Sequence, residues 1–265
     1  MDMGLKGKVA LITGGSDGIG LATARLLAAE GARVAICARR EGPLRQAAEE
    51  VRRATGGDVL AVPADVSRAE DIARFIGQAA QTYGRIDILL NNAGSSSAHP
   101  FEQVPDEEWR HDFDLKLMAA VRCSRAVLPY MRRVGGGRIV NVTAGAGKTP
   151  GAASVPTSVT RAAGLALTKA LSKEMAKYNI LVNSVVIGIV RSGQWVRRHA
   201  ELRKSNPSLT MEQFYADAVK ARGVPLCREG TEDEAASVVV FLASNMASYV
   251  SGVAINIDGG QCAVL

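Results

Sequence analysis

Residues 13–20, "TGGSDGIG", have the types and spacing that cradle a diphosphate. They follow the apolar run "KVALIT" (8–13) and open a segment of helical period, the context a glycine motif requires. Gly14 permits a tight turn, Gly18 lets backbone approach a pyrophosphate, and Gly20 lets the helix pack on a sheet. Ser16, Asp17 and Ile19 lie among them, at the start of a helix whose free amides face an anion. About 20 residues further on, a carboxylate at a strand tip would hold an adenosine 2′-hydroxyl. This chain has "CARRE" there, and Arg39 and Arg40 suit a 2′-phosphate through paired charge-assisted hydrogen bonds. NADP is therefore expected over NAD. A second stretch, "PTSVTRAAGLALTK" (156–169), sets Thr157 and Arg161 four residues apart, on one helical face, where a hydroxyl and a fixed cation can act on the same group.

The elements that must position these residues are short β-branched runs between longer helical segments: 8–13, 33–38, 58–63, 86–91, 137–143, 180–186 and 253–257. Such near-continuous hydrophobicity belongs to parallel strands covered on both faces. The alternation predicts an α/β chain, a Rossmann-type doubly wound seven-stranded parallel sheet in a single domain. Ser67 with Glu70 and Thr231 with Glu234 have capping-box spacing, and Pro43 and Pro105 fall where first helical turns begin. Residues 191–230 separate two strands with more chain than a crossover needs, which suits a lid over a ligand or an elaboration of packing.

Hydrophobic residues make up 47% and charged residues 22% of the 265, ordinary globular values that argue against disorder. The net charge of +6 is spread through helix-like segments without a basic tract or binding motif, so no nucleic-acid partner is expected; a phosphorylated small molecule is a better use for a few of the arginines. The start of the chain does not read as a signal or transit peptide, and no apolar run approaches a membrane span of roughly 18 residues, so no membrane partner is expected. Cys37, Cys123, Cys227 and Cys262 have neither CxxC nor metal-ligand spacing; free thiols in a cytoplasmic protein without a metal are expected.

The pattern T-G-x-x-x-G-I-G, with "DV" at 65–66, "NNAG" at 91–94 and "NIDGG" at 256–260, resembles the short-chain dehydrogenase/reductase family over nearly the whole chain. The resemblance implies that Asp65 and Val66 flank the adenine of the cofactor, and that Asn92, Ala93 and Gly94 lie beside it. Many NADP-preferring relatives carry a basic residue where this chain has Asp17, which argues mildly for NAD. The family's carbonyl reduction uses an Asn, a Ser and a Y-x-x-x-K pair, in which the ammonium under the phenol lowers its pKa from about 10. The corresponding places hold Lys116 in "DLKLMAAV", Thr143 and Ala144 in "NVTAG", Thr157 at the tyrosine and Arg161 at the lysine, while Ile187 and Gly188 replace Pro-Gly.

Thr157 cannot replace a phenol as an acid, because an aliphatic alkoxide has no ring over which to spread charge. Arg161 keeps the positive charge and can hold ribose hydroxyls, but it cannot relay protons. A lysine near Arg161 has a depressed pKa and can donate a proton; Lys116 and Lys148, the latter in "AGAGKTPG", are the candidates, with Ser154 and Ser158 as groups to orient a carbonyl. Trp195 and His199, four apart, suit either a substrate wall or ordinary packing; Trp195, Met211, Phe214 and Tyr215 suit an apolar component of the substrate or, equally, inward packing. The expected activity is NADP-dependent reduction of a carbonyl, or oxidation of an alcohol, on a small and partly apolar substrate. A lyase or isomerase with structural nucleotide, and a catalytically silent NADP-binding protein, remain open. The resemblance also implies a homo-oligomer, a tetramer or dimer, joined through helices at 106–133 and 155–178 and the C-terminal strand region.

Overall fold

Strands with no polar face must be covered on both sides, and two layers of helices do so here. The structure, a computed structural model, describes residues 2–264. The chain runs β1 (Val9–Thr13), α1 (Gly18–Ala29), β2 (Arg33–Ala38), α2 (Glu41–Thr55), β3 (Val59–Pro63), α3 (Ala69–Tyr83) and β4 (Ile88–Asn91). It continues through β5 (Ala98–His99), α4 (Asp106–Asp112), α5 (Ala119–Arg133), β6 (Gly137–Ala144), β7 (Val155–Pro156), α6 (Thr157–Met175) and β8 (Ile180–Ile187). It ends with α7 (Gly193–Leu202), α8 (Met211–Ala221), α9 (Glu232–Ala243) and β9 (Ala254–Ile257).

Each expected run forms a strand of one seven-stranded sheet, in the order β3-β2-β1-β4-β6-β8-β9 with every pairing parallel. Leu27, Leu44, Val51 and Val239 close one face, and Phe75, Cys123, Met131 and Met175 close the other. The chain moves outward from β1 through β2 to β3, then returns to β4 on the opposite side of β1. That reversal opens a crevice beyond the carboxyl ends of the strands, where doubly wound sheets bind ligands.

Two features outside the periodic pattern shape the site. Phe113–Met118 forms a π-helical turn between α4 and α5, so that residues 106–133 run as one helix with a local bulge. The two-residue strands β5 and β7 pair antiparallel, Ala98 with Pro156 and His99 with Val155, which ties the loop after β4 to the start of α6. The Thr231–Glu234 capping box is formed. The expected Ser67–Glu70 box is not: the Ser67 amide and hydroxyl both donate to the Asp65 carboxylate, and α3 begins after Arg68. That local turn satisfies the serine before a helix can recruit it.

In residues 191–230, α7 and α8 pack on each other around Trp195, Phe214, Tyr215 and Val219. Trp195 and His199 are both buried, and the His199 ring nitrogen Nε2 lies 2.9 Å from the Leu209 carbonyl oxygen. Packing claims His199, whose ring meets Phe214, whereas Trp195 both packs on Phe214 and Tyr215 and lines the large cleft; Phe214 and Tyr215 point into the same small core.

Gly20 is the tightest point of the glycine turn. A Cβ there would stand 2.3 Å from the Gly14 carbonyl oxygen and 2.6 Å from Asn92 Nδ2, and the backbone oxygen cannot yield. Gly20→Ala is expected to cost roughly 2 kcal/mol, an overpacking penalty, and to lower Tm by several degrees. Gly42→Ala, whose Cβ would meet nothing within 4 Å, is expected to leave Tm in place. Thermal unfolding of the two variants checks the contrast.

Candidate active site

A cleft of about 1200 Å³ extends beyond the strand ends from the glycine turn to the start of α6. Gly14, Ser16, Asp17, Gly18 and Ile19 line one end, with Arg39 and Arg40 at the tip of β2. Asp65, Val66, Asn92, Ala93 and Gly94 line its side, and Thr157, Arg161 and Gly188 its inner end. Gly20 lies behind the turn, where it admits the close packing described above. The turn is held from below: Asn92 Nδ2 donates to the carbonyls of Thr13 and Gly14, and the Thr13 hydroxyl accepts from the amides of Asn92 and Ala93. A long cleft with an amide-rich glycine turn at one end and two guanidinium groups beside it fits a dinucleotide.

At the inner end, three segments converge on one hydroxyl. Thr157, at the start of α6, donates from Oγ1 to the Ser97 carbonyl at 2.8 Å and accepts from the Ser97 amide at 2.8 Å. It also accepts from Lys116 Nζ at 2.9 Å. The β5–β7 pair sets Ser97 against Thr157, and the π turn carries Lys116 to it. A hydroxyl has one proton and two lone pairs, so all three valences of Thr157 are used.

Lys116 is buried, with a side-chain exposure of 1%. Its ammonium also contacts the carboxylate of Asp112, one turn earlier, which in turn accepts from Thr160 Oγ1 at 2.7 Å. Burial, and then the nearby charge of Arg161, lower the Lys116 pKa to about 8, against the pull of Asp112. Arg161 donates from Nη1 to the Val142 carbonyl at 2.6 Å, and its buried Nε has no protein partner. Burial lowers its pKa as well. The arginine lies against Gly94: a Cβ there would stand 2.9 Å from Nη2.

Other expected candidates fall elsewhere. Lys148 donates to the Ala254 carbonyl at 3.1 Å, and this ties its ammonium to β9 rather than to the cleft. Thr143 donates from Oγ1 to the Val185 carbonyl at 3.1 Å, next to Ser184 Oγ, so its hydroxyl is spent between β6 and β8. Ser154 donates to Gly151 in its own loop. Asp112 is the member of this buried cluster that motif reading missed; its spacing of four before Lys116 on a helix was the available signal. Asp17 reaches across the cleft mouth, accepting from the Gly193 amide at 3.1 Å and facing Arg197 at 4.0 Å.

The sequence profile of the short chain dehydrogenase family matches residues 8–202. An uncharacterised oxidoreductase of Bacillus subtilis is 35% identical over 98% of both chains. The crystal structure of L-sorbose reductase from Gluconobacter frateurii, complexed with NADPH and L-sorbose, superposes with a TM-score of 0.96 at 36% identity over the full length of both chains. A short chain oxidoreductase of Pseudomonas aeruginosa containing an atypical catalytic center does so with a TM-score of 0.92 at 36% identity, over 99% of this chain and all of that one. The chain belongs to the short chain dehydrogenase family. Its class is that of an NAD(P)-dependent oxidoreductase. Among the described residues no helix is long and apolar enough to cross a membrane, and no cluster of three or more His, Cys, Asp or Glu residues could hold a metal ion.

Removing one member of a buried ion pair leaves the other uncompensated, a loss of about 3–5 kcal/mol. Lys116→Met is expected to lose stability on that scale. Lys116→Met/Asp112→Asn, which removes both charges, is expected to recover most of it. Urea unfolding of the two variants makes the comparison.

Proposed function

We propose that this chain is an NADP-dependent oxidoreductase that reduces a carbonyl or oxidises the corresponding alcohol, with a catalytic centre that departs from the family's Asn-Ser-Tyr-Lys set. The observation that carries the reading is the 2.9 Å hydrogen bond from Lys116 Nζ to a Thr157 hydroxyl in the wall of the cleft. When bound, the nicotinamide supplies hydride to the carbonyl carbon or accepts it from the alcohol. Thr157 turns its O–H from Ser97 to the substrate oxygen and takes the Lys116 proton as it gives up its own. Because the two transfers are concerted, no free threonine alkoxide forms. The Ser97 amide keeps the oxygen in place throughout.

Asp112 holds the ammonium in position, and Arg161 adds a fixed positive charge beside the oxygen that becomes negative. Arg161 and Gly188 line the inner end, where this reading places the nicotinamide and its ribose. Asp65, Val66 and Asn92 to Gly94 accompany the adenine and the middle of the cofactor. Residues 191–230 serve as the lid: Gln194 accepts from the Ser96 amide at 3.0 Å, and Trp195 lines the cleft.

Arg39 and Arg40 favour NADP, since both line the cleft and neither has a carboxylate within 4 Å among the described residues. Asp17, whose charge opposes a phosphate, is engaged by α7. The same reading takes the chain as cytoplasmic, in keeping with four free cysteines, and as a homotetramer or dimer joined through residues 106–133 and 155–178. A monomeric sedimentation profile at micromolar concentration speaks against that assembly.

Reduction requires charged Lys116, the form present below its pKa of about 8. The rate of reduction is expected to be flat below about pH 8 and to fall tenfold per unit above it; alcohol oxidation, which needs the neutral amine, rises to a plateau through the same range. Lys116→Gln and Thr157→Val are each expected to lower kcat on the order of 100-fold or more, whereas Thr157→Ser retains most of it. Steady-state NADPH oxidation with a panel of ketones tests this. Equal activity of the valine and serine variants removes the relay.

Arg39→Ala and Arg40→Ala are expected to raise KM for NADPH about tenfold, the loss of one charge-assisted contact, with KM for NADH little changed. A parallel rise for both cofactors removes the NADP assignment.

A further inference from the structure

Residues 191–230 bring to the cleft two arginines for which the protein provides no acid. Arg198, on α7, and Arg222, immediately after α8, both line it, and their guanidinium carbons lie 5.6 and 5.4 Å from the centroid of the Trp195 ring. Trp195 is held by Phe214 and Tyr215, with ring centroids 5.6 and 5.8 Å away, so the indole is a fixed group that both cations contact.

Four other basic residues of the segment are paired. Arg191 meets Glu229 at 2.6 Å, Arg228 meets Glu234 at 2.6 Å, Lys204 meets Glu201 at 2.6 Å, and Arg197 faces Asp17 at 4.0 Å. Among the described residues no carboxylate lies within 4 Å of Arg198 or Arg222, and neither guanidinium has a hydrogen-bond partner. Desolvation, followed by the charge of Arg198, lowers the pKa of Arg222, although both side chains keep contact with solvent. Two such cations in the wall of a cleft favour an anion between them.

We propose that Arg198 and Arg222 form an anion site for the substrate: the carbonyl compound carries a carboxylate or phosphate, which these guanidinium groups hold while the carbonyl faces Thr157. The inference rests on the oxidoreductase reading above and names its substrate class. The cofactor's phosphates have other partners in that reading, the glycine turn and the arginines at the tip of β2.

Binding tests the site without turnover. Trp109 and Trp195 are the two tryptophans, so Trp109→Phe leaves Trp195 as the reporter. In that background, with NADP⁺ present so that no ketone is reduced, acetoacetate is titrated against methyl acetoacetate. Dihydroxyacetone phosphate is titrated against dihydroxyacetone and L-sorbose.

At least one anionic probe is expected to bind about tenfold more tightly than its neutral partner, the effect of one charge-assisted hydrogen bond. Preference for acetoacetate identifies a carboxylate, and preference for dihydroxyacetone phosphate a phosphate. Arg198→Ala and Arg222→Ala are expected to bring the ratio close to one. Arg203→Ala, whose guanidinium meets the Pro207 carbonyl, keeps it. Equal or undetectable binding of anionic and neutral members overturns the proposal, as does a loss confined to NADP⁺ affinity in the arginine variants. Selective anion binding without reduction when NADPH replaces NADP⁺ upholds the site and counts against the oxidoreductase reading instead.

Discussion

A buried ammonium cannot stand alone. Lys116 has almost no contact with solvent, and the surrounding structure supplies its charge with a partner. Asp112 supplies the countercharge and is itself held by Thr160. The nearby charge of Arg161 opposes it. Desolvation and a like charge outweigh the single carboxylate, and the result is a buried ammonium whose pKa is lowered to about 8, in contact with Thr157. A tyrosine and lysine on one helix reach a comparable condition by placing a cation beneath a phenol. Here the cation comes from a different helix, and a hydroxyl stands between it and the cleft.

Delivery of that cation depends on two small departures from regular structure. The π turn at Phe113–Met118 alters the helical advance between α4 and α5, where Lys116 lies. The β5–β7 pairing holds Ser97 against Thr157, so the hydroxyl is oriented by backbone rather than by a mobile side chain. Both features sit on a sheet whose strands are buried throughout β1 and nearly throughout β8. Buried strands lie below, and the irregular turns that place Lys116 and Ser97 lie above.

The sheet was legible because its strands carry no polar face, so seven apolar runs specified seven strands with boundaries off by at most two residues. The glycine turn was legible for the same kind of reason, since Gly20 occupies space that no other side chain can share. The inner site was only partly so. The positions of Lys116, Thr157 and Arg161 followed from motif spacing, but contacts between residues 41 positions apart leave no local signature. Lys148 has the right residue type on the right loop, yet a backbone carbonyl of β9 takes its ammonium, a competition visible only in three dimensions. Two-residue strands and a single π turn are too short to impose a period on the sequence.

Asp17 belongs to the glycine turn, yet its carboxylate accepts the first amide of α7. The turn and the helix are thus two ends of one mechanical connection across the cleft mouth. Thermodynamic reciprocity applies to such a connection: any ligand whose affinity depends on α7 being seated biases the turn by the same factor with which occupation of the turn biases α7. A substitution at Asp17 is consequently ambiguous when scored at one end alone, because loosened helix and weakened turn are a single event observed from two sides.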